Sequence, residues 1–373
     1  MKLIVSFLFF ICLLSGQAQK IIYSNDPLVE LKKKWNACAI MESQLTILHI
    51  GDSHLQPNNL SGITRYQLQK KLGNAGRGLI FPYSLAKTNG PKDFGFTSPT
   101  KWENAWIIKP PTFDIGLTGI SIKSLSSSGS FKWKSGKDTL SYPATHGWIS
   151  YIMSECKDCS VEINGRTKKY TNDTQDTIQF RINADSNIIR FHNGKLTLLD
   201  LAENTNQPGL IYHSTGVAGA TFQTYVQNPW FKKELPYFHP DLVVVSLGTN
   251  ESYKKWDENE FSLSAKNFIE IIEQQVPLAK ILLVLPNENY NQHNKQWVYN
   301  ERLDKVRNVL IQIATEKKLL IYDQQLAMGG KGCMLEWEKL QLVNKDHVHF
   351  LKKGYQKQGM LLFQHLNDFL TAN

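Results

Sequence analysis

Four short apolar runs limit what this chain can fold into: Leu45–Ile50, Asp241–Leu247, Lys280–Leu285 and Leu319–Tyr322. A strand with one face in water alternates apolar and polar residues, whereas a run that is apolar almost throughout is a strand buried on both faces. A further run, Gly209–His213, has the same texture. Helical patterns lie between and after these runs, over Phe261–Gln275, Asn300–Lys317 and Gly354–Leu370. Earlier, Asp26–Met41 reads as a helix, and Leu60–Leu72 as another with Leu60, Ile63, Tyr66 and Leu68 spaced for one buried face. Strands buried on both faces and alternating with helices predict an α/β fold: a parallel sheet covered by helices on either side, in three layers.

The texture changes between about Gly90 and Gln207. Segments such as Trp106–Lys109, Gly119–Lys123, Ser130–Lys134, Trp148–Ile152, Ser160–Asn164, Thr177–Ile182 and Asn187–Phe191 read as short strands, most with a period of two. Asn164 with Gly165 and Asn193 with Gly194 are hairpin signals. Regularly spaced short strands predict a β-sandwich or jelly roll. The expected organisation is an α/β domain built from residues 19–89 and 208–373, interrupted by a β-rich module over residues 90–207.

The first residues read differently again. Met1 and Lys2 give a positive start, Leu3–Leu14 is apolar, and Gly16, Gln17 and Ala18 are a cleavage pattern. Residues 1–18 are therefore expected to be a secretory signal peptide, too short in its apolar part for a typical spanning helix. Export to the periplasm or the cell exterior follows, with no stable membrane insertion after cleavage. Of five cysteines, Cys12 would leave with the signal. In an oxidising compartment Cys156 and Cys159 can close a local disulfide, with Cys38 and Cys333 as the remaining pair; free thiols are the alternative, and the sequence does not fix the pairing. The net charge of +9 permits an anionic partner. No zinc-finger or RNA-recognition pattern and no concentrated basic helix accompanies it, so nucleic acid is not expected.

Four places combine chemistry with the predicted strand ends, where open α/β sheets gather their functional groups. Ser53, after Gly51 and Asp52, follows the first strand and would open a helix, its N–H suited to a developing oxyanion; a helix cap is the plainer reading. Gly219 lies in a loop after Gly209–His213, where a glycine lets backbone approach a substrate. Asn250 follows the strand ending at Leu247 and carries an amide donor, or caps the next helix. Asp346 and His349, three apart on one turn, can pair as carboxylate and imidazole. A serine hydroxyl needs such a base, and the base needs a partner that fixes its tautomer. His347 is a competing base, but its spacing from Asp346 points it elsewhere.

These blocks resemble those of the SGNH (GDSL-type) hydrolases, in that family's order: Gly51, Asp52, Ser53 and His54; Gly219; Gly248, Thr249, Asn250 and Glu251; Asp346 to His349. The resemblance implies a flavodoxin-like α/β/α fold with Ser53 as nucleophile, His349 as base and Asp346 as its orienter. It also implies an oxyanion hole from the Ser53 and Gly219 N–H groups and the Asn250 amide, with no cofactor or metal. Further similarity, in Gly216–Ala220, Tyr322 with Asp323, Ala327–Gly330, Met334, Trp337, Phe350, Gly354 and Tyr355, is to exported peptidoglycan O-acetylesterases, which carry a β-rich, carbohydrate-binding-like module in this position. Ala218 departs from the asparagine that relatives often have before the second-block glycine, which bears on substrate choice rather than on chemistry.

The expected activity is that of a serine esterase removing O-acetyl groups from a polysaccharide, peptidoglycan first, with the acetylated glycan as its partner. An acetyltransferase or an acetyl xylan or other carbohydrate esterase would use the same residues. A catalytically silent glycan-binding envelope protein is the reading outside enzymes. Trp102, Trp106, Trp133 and Trp148 of the β-rich module are either sugar-stacking or core residues.

Overall fold

The computed structural model describes residues 26–135, 144–183 and 186–371; the expected signal peptide lies outside them. The apolar runs assemble into a five-stranded sheet in the order Gly209–Gly216, Gln44–Gly51, Leu242–Ser246, Lys280–Leu285 and Leu320–Asp323. Every neighbouring pair is parallel. Numbered along the chain, this is the flavodoxin-like order 2-1-3-4-5, whose direction of growth reverses beside the first strand. Loops leaving the first and third strands therefore diverge around a crevice at their carboxyl ends.

Apolar residues fill both faces of this sheet. On one face Ile47, Leu210, Val244 and Leu282 pack with Trp35 and Leu68 and with Leu362 and Leu366 of the final helix, Lys352–Thr371. On the other, Leu48, Val243, Val245 and Leu283 meet Phe268 and Leu310 of the helices Glu258–Gln275 and Arg302–Lys317. The helix Asn59–Leu72 differs from its sequence reading: Ile63 and Tyr66 are only half-buried, while Thr64, Arg65 and Gln69 are buried. Polar bonds replace apolar packing there. Gln69 donates to the carbonyls of Gly76 and Leu210, and Arg65 pairs with Asp93 at 2.9 Å. Asp93 also holds Arg77, at 2.5 Å from its Nε.

Two antiparallel sheets form the inserted module. One runs Thr174–Arg181, His146–Ser154, Lys195–Asn204, Ile120–Ser124 and Trp102–Trp106, with Gly78–Ile80 pairing onto Lys195–Asn204. The other runs Phe94–Thr97, Gly129–Ser135, Asn187–His192, Cys159–Ile163 and Arg166–Tyr170. Phe96, Trp102, Phe131, Trp133, Phe180 and Phe191 pack between them, and the Trp133 indole N–H donates to Glu203 across the gap at 2.8 Å. Their apolar cluster is continuous with that of the parallel sheet, so the module and the α/β domain share a core.

Several local readings change. Asn164 and Gly165 make the expected hairpin between Cys159–Ile163 and Arg166–Tyr170, with φ of 49° and 85°. Asn193 and Gly194 do not: the strands they join belong to different sheets, so this turn is a corner between layers. The strand expected at Trp106–Lys109 lies at Trp102–Trp106, and a turn follows in which Lys109 N–H donates to Trp106 O. Cys156 and Cys159 are disulfide-bonded, but Cys38 and Cys333 are free and buried, Cys38 donating to Leu72 O, so the second expected pair is not formed. Trp102 and Trp133 are core residues, and Trp148 packs edge-on against Phe238. Among the described residues no helix is long and apolar enough to cross a membrane.

Candidate active site

Ser53 leaves the first parallel strand in a turn closed by the Leu55 and Gln56 N–H groups on Asp52 O. The long helix begins only at Asn59, so Ser53 does not open it, and the helix-terminus argument for its N–H does not apply. The residue before this turn has no room for a side chain: a Cβ on Gly51 would lie 2.7 Å from Ser246 O. Ser53 ends half-buried at the carboxyl edge of the sheet.

There it meets the distant carboxyl-terminal turn. Ser53 Oγ lies 2.8 Å from His349 Nε2, and His349 Nδ1 lies 2.8 Å from Asp346 Oδ2. Asp346 Oδ1 also accepts the N–H groups of Val348 (3.0 Å) and His349 (2.9 Å). Burial opposes the charged form of Asp346, but these hydrogen bonds outweigh it and hold the carboxyl below the usual carboxylate range. A charged, oriented carboxylate favours the His349 tautomer with the proton on Nδ1, which leaves Nε2 to accept from the serine.

His347 faces away from Ser53. Its ring stacks on Trp297 at 4.4 Å, and its Nε2 lies 3.1 Å from Glu338. Trp297 belongs to a two-stranded hairpin, Tyr290–His293 and Gln296–Tyr299, that the sequence reading passed over. Tyr290 N–H of the same hairpin donates to His347 O at 3.1 Å, so the hairpin braces the turn that carries Asp346 and His349.

Asn250 lies against the loops that follow the first and second strands. Its Nδ2 donates to Ala220 O at 2.9 Å and makes a long contact of 3.4 Å to Asp52 Oδ2. Gly219 is half-exposed with φ of +85°; a Cβ there would have room, nearest Ile108 at 3.7 Å, so it is the backbone conformation that favours glycine. Two residues without a role in the sequence reading hold this loop. Gln56 Oε1 accepts Ala218 N–H at 2.8 Å while its Nε2 donates to Thr88 and Asn89. Glu251 Oε1 accepts Phe222 N–H at 2.8 Å.

Three titrating groups surround the relay. Burial lowers His54 to about 3, so it is neutral; its Nδ1 bonds Tyr355 Oη at 3.0 Å and its ring lies 5.2 Å from that of His349. Burial raises Asp52 and Glu251 to about 7 each, and the charge of Asp52 further raises Glu251. This wall of the site thus gains negative charge near neutral pH.

Residues 198–357 match the GDSL-like lipase/acylhydrolase family. The chain carries a GDSL-like hydrolase domain. The matched segment holds Gly219, Asn250, Asp346 and His349, whereas Ser53 lies upstream of the inserted sheets. Over 94% of its length the GDSL-like chain superposes on 98% of a solved peptidoglycan O-acetylesterase, at TM-score 0.82 and 22% identity, which shows a common fold that includes the module. Other solved structures match less well. An acetyl xylan esterase gives TM-score 0.35 at 15% identity over 42% of this chain and 81% of that one. A family two carbohydrate esterase from Clostridium thermocellum, in complex with cellohexaose, gives 0.33 at 12% identity over 67% of this chain and 95% of that one. No curated protein matches the chain.

Proposed function

We propose that this protein is an exported serine esterase that removes O-acetyl groups from a polysaccharide, with peptidoglycan as the first substrate to test. The observation that carries the reading is the continuous contact from Ser53 Oγ through His349 to Asp346, each step 2.8 Å long. Ser53 Oγ attacks the acetyl carbonyl carbon as His349 Nε2 takes its proton, and the carbonyl oxygen becomes an oxyanion. The N–H groups of Ser53 and Gly219 and the Asn250 amide receive that charge; the Asn250 proton whose contact to Asp52 is long turns onto it. His349 then gives its proton to the departing sugar oxygen. Water, deprotonated by the same imidazole, attacks the acetyl-serine; acetate leaves and Ser53 recovers its proton. The likeness to a peptidoglycan O-acetylesterase in fold supports the choice of glycan.

The test is acetate release from O-acetylated peptidoglycan, xylan and chitin oligosaccharides by the wild type and by Ser53→Ala. Release from peptidoglycan that disappears in the variant supports the proposal. Equal inactivity of both proteins on every acetylated glycan and on p-nitrophenyl acetate sinks it. Transfer of acetyl to a glycan hydroxyl faster than acetate release would reassign the same residues to a transferase.

A further inference from the structure

Next to Ile108, the side chain nearest Gly219, opens a cleft of about 560 Å³, in the range typical of small-molecule sites. One wall is the turn that follows the strand Trp102–Trp106 and the other is the pair of short helices Phe222–Val226 and Pro229–Glu234. Ile108 belongs to both places: it lines the cleft and is the side chain nearest a Cβ on Gly219, at 3.7 Å. A ligand in this cleft that extends past Ile108 reaches the loop of Gly219. We propose that the cleft binds the sugar rings next to the acetylated one, so that acetyl groups are removed from within a glycan chain.

The lining supports a sugar. Ile108, Pro110 and Phe113 offer apolar surface to the C–H faces of pyranose rings, while Thr112 and Gln227 offer hydrogen bonds to hydroxyls at the edge. A lipid tail would leave those polar groups unpaired. Trp230 is held in place, its indole N–H on Asp114 at 2.7 Å and its ring under Lys233 Nζ at 3.9 Å, so this wall needs little ordering on binding. Exposed Lys109 stands on the lining, and with the chain's net charge of +9 it complements a glycan bearing carboxylates, as peptidoglycan does. The module would then contact sugar at its junction with the hydrolase domain and not through its buried Trp102 or Trp133.

The proposal rests on the esterase reading, and its test is separated from that reading by measuring binding without turnover. Full-length Ser53→Ala protein is titrated calorimetrically with de-O-acetylated peptidoglycan tetrasaccharide, alone and with Thr112→Trp, which fills the cleft, or Gln227→Ala, which alters one exposed side chain. Circular dichroism checks that each is folded. Affinity at least tenfold weaker in both cleft variants, with acetyl release by the wild type rising with glycan length, supports the proposal. Undetectable binding, equal affinity in the variants, or competition by decanoate in place of the sugar overturns it. Failure of the esterase reading is seen separately, as absence of Ser53-dependent acetate release.

Discussion

Glu251 Oε1 accepts the N–H of Phe222 at 2.8 Å and so ties the loop carrying Asn250 to the loop carrying Gly219. Its other oxygen, Oε2, is buried without a hydrogen-bond partner. Burial raises this carboxyl from its ordinary value of 4.5 to about 7, with Asp52 adding to the shift. A raised carboxyl binds more protons folded than unfolded between those values. Its contribution to stability is complete below about pH 4.5 and is lost as pH rises through about 7. Glu251→Gln keeps an acceptor for Phe222 and cannot ionise. The variant should therefore gain about 1–2 kcal/mol over wild type at pH 8 and little at pH 4, measured by denaturant unfolding. A gain that does not change with pH would place the titration elsewhere.

The relay itself predicts a graded loss. Ser53→Ala and His349→Ala should each lower kcat by about 10⁴-fold or more, and Asp346→Asn by about 10²–10⁴-fold, because an asparagine cannot hold the same imidazole tautomer. The double variant Ser53→Ala/His349→Ala should be little worse than either single one, since groups that act as a unit are not additive. Additive losses in acetate release would mean that the two side chains work independently.

For the oxyanion, Asn250→Ala should cost about 10²–10³-fold in kcat with a small change in KM, the pattern of a donor used mainly in the transition state. Gly219→Ala places a Cβ where there is space but at φ of +85°, so it should destabilise by about 1–2 kcal/mol and displace the loop N–H. Loss of kcat in Gly219→Ala with unchanged unfolding stability would contradict the conformational argument.

Much of this was legible in the chain. Val243, Leu282 and their neighbours face apolar layers on both sides, and only an unbroken apolar run satisfies that, so four of the parallel strands are legible to within a residue at each end, while Gly209–Gly216 runs three residues past its apolar part. Ser53, Asp346 and His349 sit at strand ends or turns where short motifs are visible. What escaped was long-range or polar. A buried Gln56 or a half-buried Glu251 looks in sequence like any surface residue, because its place depends on backbone amides far along the chain. The hairpin Tyr290–Tyr299 is too polar to show a strand pattern, and the turn at Asn193 gives no sign that the strands it joins diverge into separate sheets. The helix behind Ser53 hides its buried face for the same reason: Arg65 and Gln69 are matched by partners elsewhere.

That polar match predicts a stability effect remote from the site. Asp93 is the shared carboxylate for the buried guanidiniums of Arg65 and Arg77. Burial alone would raise its pKa, but Arg77 and then Arg65 outweigh burial and hold it below the ordinary 3.8. Its contribution is therefore present above pH 3.8 and lost as pH falls through the depressed value. Asp93→Ala leaves two buried cations without that carboxylate and should destabilise by about 3–5 kcal/mol at pH 7, measured by urea unfolding. A cost under 1 kcal/mol would show that water or other groups reach the arginines.

His347 provides the last prediction. It has φ of +53°, a conformation that bulky residues adopt at a cost, and three contacts hold it there: the Trp297 stack, Glu338, and the Tyr290 N–H on its carbonyl. It sits between Asp346 and the Val348 and His349 amides that Asp346 accepts, so releasing it loosens the carboxylate that orients His349. His347→Ala should lower kcat by about tenfold, since a 1 Å misplacement of a catalytic group costs up to about 10². His347→Asn, which tolerates the left-handed conformation, should lose less. Both should remain far above His349→Ala in acetate release. If His347→Ala is as inactive as His349→Ala while its unfolding transition is unchanged, His347 is a participant in proton transfer and not a brace.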